Sequence, residues 1–139
     1  MIGMFISMAA VAVLAVILWR RGPDRRLSQP SVGRWLGVAA LVLLGAQVAF
    51  YLFFAFGEMF SGDLSGAGHL APAAATALLA WLAWRRPLEG GIALLVSGLG
   101  VALAVRGGAA LLIMAAPFLV AGVLLLIGAR LAARQSKAS

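Results

Sequence analysis

WLGVAALVLLGAQVAFYLFFAFG, from Trp35 to Gly57, runs its whole length without one charge. A helix needs about 20 apolar residues to cross a hydrocarbon core of about 30 Å, at 1.5 Å per residue. This stretch exceeds that length, so its reading as a membrane span sets the solvent for the rest of the chain. Four further apolar stretches flank it. The first runs from about Ile2 to Trp19 and the third from about Gly66 to Trp84. The fourth runs from about Gly90 to Val105 and the fifth from about Ala109 to Ala129. Arg85-Arg86-Pro87 separates the third from the fourth, and Pro87 disfavours helix at Arg86. Arg106-Gly107-Gly108 separates the fourth from the fifth, a charge followed by a turn signal.

The composition agrees. The chain is 64% hydrophobic and 11% charged, against about 45–50% and about 25% for a soluble domain. The expected fold is an all-α integral membrane bundle of five transmembrane helices, a single membrane domain over residues 1–139.

The charges give that bundle a direction. Of eleven Lys/Arg residues, ten fall in alternate gaps and the tail. Arg20, Arg21, Arg25, Arg26 and Arg34 lie in or beside a basic loop, 20–34. Arg85 and Arg86 follow the third segment. Arg130, Arg134 and Lys137 lie in a basic tail, 130–139. Only Arg106 falls in the opposite set. Short loops rich in Lys/Arg stay in the cytoplasm, which predicts N-terminus out and C-terminus in. All four tryptophans, Trp19, Trp35, Trp81 and Trp84, sit beside these arginines, as interfacial rings do. The first segment has its cations after the apolar run, the reverse of a cleaved signal peptide; it reads as an uncleaved N-out helix. The net charge of +7 thus fits anionic lipid headgroups, not nucleic acid.

Small residues suggest how the helices meet. The third segment is rich in alanine, including Ala73, Ala77 and Ala83; the fourth carries Gly90, Gly91, Gly98 and Gly100. Packing is the main attraction between helices in lipid, and small residues let backbones approach. A tight hairpin of these two at the bundle centre is expected, with the first, second and fifth segments facing lipid.

Few residues carry chemistry. Glu58 closes the second segment, His69 opens the third, and Asp63 lies between them. An antiparallel hairpin brings Glu58 and His69 to one membrane level, where they either tie the loop or hold a proton or cation. Gln47, mid-segment, needs a partner on another helix or lines a polar path. Pro117 frees a carbonyl and kinks the fifth segment. There is no cysteine, no phosphate loop and no nucleophile elbow. No catalytic residue, cofactor or metal is assigned.

One resemblance adds to this. Arg34-Trp35-Leu36-Gly37, Phe56-Gly57-Glu58, His69-Leu70-Ala71-Pro72, Ala83-Trp84-Arg85, Gly90-Gly91 and Pro117 together resemble small bacterial four-helix membrane proteins grouped as a domain of unknown function. The resemblance covers Arg34 to Arg130. It implies a four-helix core and no known activity; the expected location of the chain is a bacterial inner membrane. The function expected is that of a packing or accessory subunit contacting lipid, other membrane proteins or itself. The alternative is a small transporter or channel with Glu58, Asp63 and His69 at its outer mouth and Gln47 on its path. A membrane enzyme using Glu58 and His69 is the third reading.

Overall fold

The computed structural model describes residues 32–105 and 108–138, and these are helical almost throughout. The expected first span, 2–19, lies outside them, as do Arg20, Arg21, Arg25 and Arg26. Helix α1 runs Val32–Phe60. A 3-10 helix, Leu64–His69, leads directly into α2, Leu70–Arg85. Helix α3 is Pro87–Ala104, α4 is Gly108–Met114 and α5 is Ala116–Ala138.

Four stretches are long and apolar enough to cross a membrane: Val32–Phe60, Leu64–Arg85, Pro87–Ala104 and Leu111–Arg134. Only 28% of the apolar window of the first is buried inside the bundle, and 33% of each of the others. Most of the apolar surface therefore faces outward from every helix. Trp35, Val42 and Phe53 do so on α1, Val96 and Leu103 on α3, and Val123 and Ile127 on α5. Such surface is what a helix long and apolar enough to cross a membrane presents to lipid.

The helices form a four-membered ring. α1 packs on α2, α2 on α3, α3 on α5, and α5 closes against α1. Ala40 and Leu44, Leu79 and Leu82, Ala93 and Leu94, and Ala121 and Leu125 fill its centre. The connections explain the up-and-down order. After α1, Gly62 takes φ +87°, a conformation that side chains resist. Between α2 and α3 only Arg86 is non-helical, at φ −142° and ψ 83°. Pro87 forces that extended backbone and then serves as the first residue of α3. So short a link presses the helix ends together: a Cβ on Gly90 would collide with the backbone of Ala83.

The expected hairpin is tight at Gly90 and Ala83, but further close approaches, which that expectation did not include, lie on the last helix. A Cβ on Gly33 of α1 would sit 2.5 Å from the Gly128 carbonyl oxygen of α5. One on Gly122 of α5 would sit 2.9 Å from the Gly91 carbonyl oxygen of α3. Gly98 of α3 leaves room only for Phe118 and Leu119 of α5. The fifth segment is thus a packing partner on two sides, not chiefly a lipid-facing helix. Ala77, expected in the core, is exposed. Alanine still carries a Cβ, whereas glycine lets a neighbouring carbonyl touch the helix axis; glycine positions set the crossings here.

Two features mark the last span. It is interrupted two residues before Pro117, where a kink was expected, with Ala115 in a turn between α4 and α5. In the basic tail after Arg130, α5 continues to Ala138, because Ala, Arg, Leu, Gln and Lys are good helix formers with no Gly or Pro among them.

Candidate functional site at the acidic end

The ring order places two chemically distinct ends. Arg34, Arg85, Arg86, Arg130 and Arg134 lie at one end of the helices, where Gly33 meets Gly128. Glu58, Asp63 and His69 lie at the other.

The acidic end is built on the last turn of α1. The Glu58 carbonyl oxygen accepts from the Ser61 amide at 3.1 Å, the Ser61 hydroxyl at 2.7 Å and the Asp63 amide at 3.0 Å. These bonds satisfy one of the carbonyls that a helix end leaves orphaned. Asp63 then caps the 3-10 helix: its Oδ1 accepts from the Ser65 amide at 2.8 Å. That bond holds the Asp63 carboxyl below its ordinary range. Gly66 lies under the turn, where a Cβ would sit 2.6 Å from the Ala55 carbonyl oxygen and 2.8 Å from the Glu58 Cβ. The connection is thereby pinned, and His69 is delivered back to Glu58.

His69 Nε2 stands 3.4 Å from Glu58 Oε1, with the two side chains 34% and 36% exposed. The contact is an ion pair when the imidazole is protonated and a long Nε2–H to carboxylate contact when it is neutral. The Phe54 ring lies 6.1 Å from the imidazole, and Phe54 itself packs against Phe50 at 4.8 Å with the rings tilted by 53°. The structure therefore brings Glu58 and His69 together. It uses Asp63 as a cap. Among the described residues, no three His, Cys, Asp or Glu side chains converge as a metal site would require.

Gln47 lies elsewhere, inside the bundle at 6% exposure. Its Nε2 donates to the Ile113 carbonyl oxygen at 3.2 Å. Ile113 is the residue four before Pro117, so its carbonyl is the one that Pro117 cannot serve. Thr76, fully buried, donates to its own helix at the Pro72 carbonyl oxygen, 2.7 Å away.

The arginines expected at lipid headgroups divide. Arg34, Arg85, Arg130 and Arg134 are exposed; the Arg85 guanidinium also lies 4.8 Å from the Trp81 ring centre, a cation–π contact. Arg86 is instead buried, at 8% exposure, and donates to Glu89 Oε1 at 3.2 Å. It is the single residue linking two helices, so its side chain folds onto the first turn of α3. Glu89 was not among the candidate residues, although the Arg86-Pro87-Leu88-Glu89 spacing places an acid one turn beyond the arginine. Its Oε2 is buried with no hydrogen-bond partner among the described residues.

No curated protein and no solved structure matches the chain. Residues 26–138 match the model of a family described as a domain of unknown function, DUF7670. That match takes in every described helix and both the Glu58–His69 and Gln47–Ile113 contacts, and the chain belongs to this family.

Proposed function

We propose that the chain is a multi-pass protein of a bacterial plasma membrane and acts as a non-catalytic packing or accessory subunit. In this reading residues 2–19 add a fifth span to the four described, with the N-terminus outside and the C-terminus inside. Its partners are anionic lipid headgroups, at the exposed arginines of the basic end, and other membrane proteins or further copies of the chain.

One observation carries the accessory role: Gln47 and Thr76, polar side chains inside the bundle, are bonded to the bundle's own backbone. Gln47 is spent on the Ile113 carbonyl and Thr76 on the Pro72 carbonyl. Around Gln47, the inward face of α1 is filled by Ala40, Leu44, Tyr51 and Ala55, all at 5% exposure or less. A transport path from Glu58 to the basic end would have to open that packing. The second reading, a small transporter or channel for protons, cations or a small solute, draws on the Glu58–His69 pair, which stays about one-third exposed.

Gentle extraction from native membranes tests the reading. The chain should be recovered with membrane proteins, or with itself, in fixed stoichiometry. Recovery as an isolated monomer would contradict it. Orientation is checked separately with single cysteines at Ser65 and Ser136, which should label from opposite sides of intact cells. Labelling of both from outside would refute the proposed topology.

A further inference from the structure

Pro117 and Gln47 lie on different helices and are joined by one atom, the Ile113 carbonyl oxygen. In an unbroken helix that oxygen would accept from the amide of residue 117. Proline has no N–H, and its ring crowds the same carbonyl. The helix is interrupted at Ala115, leaving α4 as a seven-residue piece ahead of α5, and the joint is held by the Ala115 amide donating to the Leu111 carbonyl oxygen at 2.9 Å and the Leu119 amide donating to the Ala115 carbonyl oxygen at 3.2 Å. Leu112 and Ile113 are 66% and 47% exposed, so α4 has a limited anchor in the core. It packs on α3 and α5. Among the described residues, α4 is hydrogen-bonded to α1 by Gln47. An orphaned carbonyl at membrane depth is costly because no water is there to serve it.

We infer that Gln47 is the latch of a hinge in the last span. Its amide replaces the donor that Pro117 removes and holds α4 against α1. Releasing it frees α4 to tilt about Ala115 while α5 stays fixed by its glycine crossings. The two residues form one device: the proline creates the need and the glutamine meets it. A glutamine present only to fill space would be indifferent to residue 117.

Hydrogen exchange in detergent micelles tests the coupling. Gln47→Met keeps the volume and removes the donor. The amides of Leu111 to Ala115 should then exchange faster, by roughly 3- to 20-fold, the range that interhelical bonds in membranes span. Amides of α2 should not change. In a Pro117→Ala background the amide of residue 117 serves the Ile113 carbonyl, so Gln47→Met should have little effect there. An equal rise in both backgrounds, or none in either, would overturn the latch. If Gln47→Met alone does not fold, the double variant should be recovered folded; a double variant that also fails to fold would overturn it as well.

Discussion

The two ends of the bundle hold their helices together by different means. At the basic end backbone meets backbone: Gly33 against Gly128, Gly90 against Ala83, Gly91 against Gly122. At the acidic end one such contact, Gly66 against Ala55, is joined by the polar groups of a short connection: the Glu58 carbonyl, the Asp63 cap and the Glu58–His69 contact. Backbone contact admits no rearrangement, so its loss is expensive. Half-exposed polar contacts compete with water, so each one is worth little. The same chain is therefore rigid where it looks featureless and tolerant where it looks chemical.

The largest expected effect breaks the basic end. Gly33→Leu drives a side chain into the Gly128 carbonyl, where no side-chain motion relieves it. It should cost about 3 kcal/mol or more, at the upper end of overpacking, seen as a large fall in melting temperature in detergent. Gly45→Leu, on the same helix with nothing within 4 Å of its Cβ, should melt like the wild type, and so should Leu at exposed Ala77. If Gly33→Leu melts like Gly45→Leu, the glycine crossings are not what holds the ring.

A smaller loss is expected from Gly98→Leu. Its Cβ meets the Leu119 and Phe118 side chains at 2.9–3.0 Å, and side chains can shift. About 1–3 kcal/mol is expected from overpacking, short of the Gly33 effect in the same assay. Matching losses at the two sites would erase the distinction between backbone and side-chain contact.

At the acidic end the effects shrink. Glu58→Gln keeps an acceptor for His69 and should lower stability by no more than about 1 kcal/mol, as for other exposed pairs. A loss as large as that of Gly33→Leu would show that the polar end, too, is structurally decisive. Smallest of all is Asp63→Ala. The folded carboxyl titrates below its ordinary value of 3.8 because the Ser65 amide bonds its charged form. Its contribution is thus present above that value and is lost as pH falls through the lowered one. Faster exchange of the Ser65 amide in Asp63→Ala should be visible at neutral pH and disappear in strong acid. A difference that persists in acid would assign the protection to something other than the carboxylate.

Much of this contrast was legible in the sequence. Charge-free length marked the spans, and the Arg-rich gaps marked the basic end. The need of Gln47 for a partner and the kink at Pro117 were each readable. That they answer one another was not, since it depends on which face of α1 meets α4. The glycine crossings were half visible: small residues signalled close packing, but not which helix received it. Arg86 was misplaced because a charge beside an apolar run looks like a headgroup anchor. Only the one-residue link between α2 and α3 turns it inward to Glu89.

The central claim is that this is a solid bundle, closed to transport. Reconstituted proteoliposomes test it most directly, by proton and cation flux under an imposed gradient. The account predicts flux no greater than in liposomes without protein, for wild type and Glu58→Gln alike. Flux present in the wild type and lost in Glu58→Gln would contradict it and make the Glu58–His69 pair a transport site.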